Sequence, residues 1–236
     1  VYTDTGSGVL FCVLQDYLDF GDGSDPDGDG RPGILVPEIP HSPLPGYGPE
    51  FGTASFSTIH SFPGPGRYTI SYVEPNRNEG VLNIDNSVLT TFYIETQIDL
   101  TLASCPNSPR LLIPPIDQAC TGVAFFHNPG AYDVDGDSLS YELVVPYRDR
   151  NTPVSNYRDP NNQSFYSGLD YSQANETGDG PPTFSINAID GTLKWDAPGK
   201  LGEYNIAFVI NEWRKIDGAW VKIGFVRRDM QIIVED

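Results

Sequence analysis

Apolar residues recur at every second position in short bursts along this chain, and Gly, Pro, Asp and Asn punctuate the bursts. Tyr17-Leu-Asp-Phe20 runs into Gly-Asp-Gly, Arg67-Tyr-Thr-Ile-Ser-Tyr-Val73 follows the corner Pro63-Gly-Pro-Gly66, and Gly202-Glu-Tyr-Asn-Ile-Ala-Phe-Val-Ile210 alternates throughout. Period two marks a half-buried strand, because successive side chains of an extended chain point to opposite faces. No window sustains a helical period. The pattern predicts strands near 8–14, 16–20, 54–60, 67–73, 80–84 and 88–98, then near 121–127, 139–145, 183–186, 192–195, 203–211 and 219–235. Strands at that spacing imply an all-β protein built as two tandem β-sandwiches, residues 1–98 and 99–236, meeting through a short linker near residue 98.

Two long segments interrupt the strands. Residues 25–53 are rich in Asp, Gly and Pro, and residues 146–182 in Tyr, Asn, Asp and Ser. Loops of such length in compact domains are functional or anchored by something. The 24 Gly and 21 Pro fit a turn-rich sandwich, and a 39% hydrophobic share is enough for a core. Charge narrows the partners. With 14 basic against 32 acidic residues the formal net charge is −18, which disfavours nucleic acid and anionic membranes and favours cations. No apolar run approaches the roughly 20 residues of a membrane helix, so direct membrane insertion is not expected. The chain opens on Val1 inside strand-like material and reads as a piece of a larger protein.

Candidate chemistry is concentrated in two acidic turns. Asp22-Gly-Ser-Asp25-Pro-Asp27-Gly-Asp29-Gly30 places carboxylates at alternate positions with glycines for a tight turn, a spacing that wraps hard oxygen ligands around one Ca²⁺. Counting Asp25 as position 1 of an EF-hand loop, position 12 is Val36 and not Glu, so a remaining ligand would come from Asp22, Glu38 or water. The second turn, Asp133-Val-Asp135-Gly-Asp137, has Ser138 where the loop pattern wants Gly. A solvated Asp/Gly turn explains either run without a metal.

Cys105 and Cys120 bracket a stiff Pro-rich segment with no further ligand at zinc spacing, so a disulfide is expected. Cys12 lies in an apolar stretch, as a buried thiol or as the partner of a cysteine in an upstream segment. Tyr147, Tyr157, Tyr166 and Tyr171 lie in the polar loop, as ligand contacts for a sugar or protein or as loop anchors. His41, His60 and His127 are scattered, and no GxSxG, HExxH or phosphate-cradling Gly loop is present. No enzyme is expected, and catalytic and organic-cofactor residues are assigned to none.

Family resemblance sharpens this picture. Tyr17-Leu-Asp-Phe-Gly-Asp-Gly-Ser24 with His60-Ser-Phe-Pro-Gly-Pro-Gly-Arg-Tyr-Thr-Ile70 resembles the opening and closing signature of PKD-type immunoglobulin-like domains, in which a His packs before an aromatic. The run from Asp133 to Tyr141, with Gly191-Thr-Leu-Lys-Trp195, is similar to cadherin-like domains, where such a motif sits at a domain edge and binds calcium. In order along the chain, SFPGPGRYTISYVEPNRNEGVLNIDNSV, SCPNSPRLLIPPIDQACTG, HNPGAYDVDGDSLSYELV and GEYNIAFVINEWR resemble the N-terminal region of gliding-motility-associated bacterial surface proteins. Those are adhesin-like proteins exported by the type IX pathway. The resemblance implies a secreted, calcium-stabilised module at the cell surface, part of a large protein or filament, with neighbouring domains or subunits as partners. It also implies that Asp137-Ser-Leu139 matches a short O-glycosylation signal. The alternative is a carbohydrate-binding or accessory module of a secreted polysaccharide-degrading enzyme, with glycans as partners.

Overall fold

The longest alternating stretches build the longest hairpin. A computed structural model describes residues 16–37, 40, 42–46, 51–102 and 106–236. The expected strand at 8–14 and Cys12, Glu38, His41 and Cys105 lie outside the described residues. Strands β1 (Tyr17–Asp19), β2 (Ile34–Leu35), β3 (Ser42–Pro43), β4 (Gly52–Thr53), β5 (Arg67–Glu74) and β6 (Phe92–Asp99) form the first part. The second contains β7 (Arg110–Leu111), β8 (Ile116–Cys120), β9 (Phe125–His127), β10 (Ala131–Tyr132), β11 (Ser138–Val144), β12 (Tyr147–Asp149), β13 (Thr152–Pro153), β14 (Phe184–Ile186), β15 (Leu193–Trp195), β16 (Gly202–Ile216) and β17 (Ala219–Glu235). The described residues contain no α-helix, only single 3₁₀ turns at Ser87–Leu89, Gln163–Phe165 and Tyr171–Gln173. The protein is all-β, as expected.

β16 and β17 turn on Asp217-Gly218, both at positive φ (49° and 86°), the backbone that a tight two-residue hairpin requires. Their ladder belongs to a ten-stranded sheet in the order β11-β16-β17-β6-β5-β1-β2, antiparallel except where β8 joins β17 in parallel. A three-stranded sheet, β14-β15-β9, lies over it. The main core fills the space between: Tyr204, Ile206, Phe208 and Ile210 of β16 and Met230, Ile232 and Val234 of β17 pack with Phe125, Leu193 and Trp195 of the smaller sheet. Trp195, Tyr204 and Phe208 are fully buried. Side chains from two facing sheets sharing one apolar layer are what a sandwich is.

The intervening positions of β16 and β17 are also buried and, beside Ala207 and Val209, include the polar Asn205, Asn211, Arg227, Asp229 and Gln231. Segment 77–83 covers that face. Asn83 exchanges two hydrogen bonds with the Asn205 backbone (2.7 and 2.9 Å), Asn78 donates to Gln231 (3.0 Å), and Arg77 donates to Asp229 (2.7 Å). β6 pairs with β17 through Thr96, Gln97 and Ile98. Residue 98 thus lies within a strand hydrogen-bonded to β5 on one side and β17 on the other, and sheet continuity stands where a short linker is expected.

Two expected strands are absent. Residues 54–60 alternate but form no ladder, and Ile59 is 97% exposed; the segment delivers His60, whose ring stacks on Phe20 at 3.8 Å. Residues 80–84 form turns instead, with Val81 and Ile84 plugging a small cluster with Val154.

Candidate metal sites

The first acidic turn is set by β1 and the start of β2. Gly33 donates to the Ser24 carbonyl at 2.7 Å and closes the loop. It does so at φ 103°, with its Cα so close to β1 that a Cβ would lie 2.3 Å from the Leu18 carbonyl oxygen. Within the loop, carboxylate oxygens of Asp25, Asp27 and Asp29 lie within 4.8 Å of one another, and all three residues are exposed. Backbone amides organise them. Asp25 accepts from Gly28 (2.8 Å), Asp29 (3.1 Å) and Gly30 (2.9 Å), Asp27 from Leu35 (3.0 Å), and Asp29 from Arg31 (2.8 Å). The Leu35 amide holds the Asp27 carboxyl below its ordinary range. Burial, then the charges of Asp29 and Asp27, push the Tyr17 hydroxyl up to about 12. The turn is therefore a fixed array of anionic oxygens, and a hard cation such as Ca²⁺ fits that donor set.

Asp22 stands apart from it. Its side chain is 4% exposed and accepts from Ser24 (2.6 Å to the hydroxyl) and His60 Nε2 (2.8 Å). Burial pushes the carboxyl up, but the Ser24 and His60 donors outweigh it and bring it to about 2. Asp22 thus sits with the Phe20–His60–Phe62–Tyr68 aromatic stack, apart from the Asp25, Asp27 and Asp29 cluster.

The second turn precedes β11. Carboxylate oxygens of Asp133, Asp135 and Asp137 again lie within 4.8 Å of each other. Asp137 N donates to Asp133 (2.9 Å), and Asn107 donates twice to Asp135 (2.8 and 2.9 Å). These amide contacts from Asn107, chiefly its backbone N–H, lower the Asp135 carboxyl. Two residues absent from the sequence reading complete the group. Arg214 of β16 forks onto both oxygens of Asp137, 2.7 Å from Nε to Oδ1, and lies 3.5 Å from Asp135. Glu212 is 2% exposed, and burial, then its neighbours Asp137 and Asp133, push its carboxyl up to about 8. The signal for Glu212 was present: a lone acid within the apolar strand Ile206–Ile210-Asn-Glu-Trp is seldom buried without a purpose.

The loop tyrosines are committed to packing. Tyr166 is 2% exposed and accepts from Trp195 Nε1 (3.1 Å), and Tyr171 donates to the Asn161 carbonyl (2.7 Å). Tyr147 lies beneath the Arg227 guanidinium at 3.6 Å, and Tyr157 packs on the Val81–Ile84–Val154 cluster. They anchor the long loop to the body and do not form a platform. Cys120 is exposed and, among the described residues, has no disulfide partner; its expected partner Cys105 lies outside them. His127 is 3% exposed and donates through Nδ1 to Asp117 (2.8 Å), whose side chain is half-buried. No protein-family model matches the chain, and comparison with curated proteins finds no match.

Proposed function

We propose that this chain is an extracellular structural and adhesive module of a large bacterial surface protein, made rigid by calcium at its acidic turns. The observation that carries the reading is the pair of Asp-x-Asp-x-Asp turns at the ends of a β scaffold, each with three carboxylates converging within 4.8 Å. A formal net charge of −18 favours a cation-rich exterior over nucleic acid or anionic lipid. The two-unit reading enters as a PKD-like part and a cadherin-like part fused through β6. Extracellular calcium sites of this kind bind with dissociation constants of about 10⁻⁴–10⁻³ M, which matches a module that is loaded outside the cell and unloaded before export. A Cys105–Cys120 disulfide would close a loop of about 15 residues and add roughly 3 kcal/mol. Burial of Tyr166, and the packing of the half-buried Tyr157 against Val81, Ile84 and Val154, weigh against the glycan-binding alternative.

Thermal unfolding of the full chain in millimolar CaCl₂ and in EDTA tests the calcium part. At a hundred times its dissociation constant, calcium adds about 2.7 kcal/mol, and Asp27→Asn with Asp29→Asn removes most of the gain from the first turn. Identical melting in both buffers would refute it. Protease treatment of intact producing cells tests the placement: release of this region is expected, and protection until lysis rejects a surface role.

A further inference from the structure

Two oxygens at the heart of the second turn lack any donor. Glu212 Oε1 and Asp133 Oδ2 are cut off from solvent and unpartnered. Leaving such a group unsatisfied is costly, and more so when it is charged. The ladder explains how Glu212 comes to be there. Ser138 faces Trp213 and Leu139 faces Glu212 across β11 and β16, so Asp137, one residue earlier, comes opposite Arg214. Alternation then sets Glu212 and Arg214 on one side of β16. On β17 the residue facing Glu212 is Gly224, where a Cβ would sit 2.9 Å from Glu212 Oε2. The sheet leaves room for this carboxyl by omitting a side chain.

We infer that Glu212 is a fourth carboxylate ligand of a divalent-cation site formed with Asp133, Asp135 and Asp137, and that Arg214 is a tethered competitor for it. The inference rests on the calcium reading of the acidic turns and adds to it a ligand and a means of tuning. The guanidinium reaches Asp137 and Asp135, yet makes no hydrogen bond to the orphan oxygens of Glu212 and Asp133. A calcium ion, which takes six to eight oxygens, would engage those two together with Asp137. It cannot share the Asp137 oxygens with a fork-bound guanidinium without opposing its charge. Arg214 is 28% exposed at its side chain, so it can leave toward solvent without crossing the core. Calcium affinity at this turn is therefore set by how firmly Arg214 holds Asp137.

The test is calcium titration by calorimetry on the full chain carrying Asp27→Asn and Asp29→Asn, so that the first turn is silent. Glu212→Gln and Arg214→Gln are then added separately, with circular dichroism as the check on folding. Arg214→Gln should tighten calcium about tenfold and Glu212→Gln weaken it by at least tenfold. Terbium, an oxygen-seeking substitute, should show luminescence excited through the nearby tryptophan in the Arg214→Gln protein, and lose it with Glu212→Gln. Equal affinities in the three proteins overturn the inference. So does calcium binding that vanishes with the first turn, which leaves the calcium reading standing. No calcium effect on the wild-type chain overturns both.

Discussion

Arg77 and Asp229 form an ion pair in which each side chain is 1% exposed. Burial pushes the Asp229 carboxyl up, and the Arg77 charge opposes it. The network is only partly satisfied, because Arg77 Nε and Nη1 and Asp229 Oδ1 find no partner. Breaking such a pair leaves a buried charge, whereas replacing both members does not. Arg77→Met should cost about 3–5 kcal/mol in urea denaturation, and Arg77→Met with Asp229→Leu markedly less; equal losses would mean that the pair is not coupled. A second residue-scale prediction concerns acid. Asp22 is held near 2 against an ordinary 3.8, so the unfolded chain takes up that proton first. Its contribution is complete above about pH 4 and disappears as the pH falls through 2. Asp22→Asn should cost roughly 1–3 kcal/mol near neutrality and flatten the stability profile over that acid range. None of these pairings was legible from alternation. Period two places Arg77's partner on the second face of β17, but it does not say what covers that face.

At the scale of elements, alternation was legible as a strand where a ladder partner exists and misleading where none does. β5, β11 and the β16–β17 hairpin lie where the pattern puts them, because each has a ladder partner on at least one side. Residues 54–60 show the same alternation without a partner, and the ring of His60 fixes them in place of a ladder. Val81 and Ile84 are apolar because they plug a cluster, at a spacing of three that suits turns. Turn chemistry yields its own test. Gly191 has φ 76°, and a Cβ there would lie 2.5 Å from the Tyr141 ring, while Gly178 has φ 72° and nothing within 4 Å. Both substitutions to alanine incur left-handed strain of about 1–2 kcal/mol, but Gly191→Ala adds overpacking of about 1–3 kcal/mol. Melting curves should separate the two variants by that second amount. Equal shifts would mean that β11 yields freely to the β14–β15 turn.

Across the whole molecule, the acidic turns were legible as carboxylate spacing, and their completion was not. Glu212 and Arg214 lie more than seventy residues from Asp137 in sequence and meet it only because β11 pairs with β16. The same long-range pairing decides how the chain unfolds. The body carries its apolar layer on one face of β16–β17, while segment 77–83 covers the polar face of the same hairpin. Removing residues before 99 would strip β17 of its β6 neighbour and uncover Asp229, Gln231 and Asn205. Independent domains joined by a linker lose nothing of the kind. Trp195, Trp213 and Trp220 all follow residue 99, so tryptophan fluorescence follows the second part alone, and the His60 ring signal in NMR follows the first. In urea the two probes should trace one coincident transition. A fragment of residues 99–236 should be several kcal/mol less stable than the same region in the full chain, through loss of the partner of Asp229. Two separated transitions, with an undiminished fragment, would show that β6 joins the parts without coupling them.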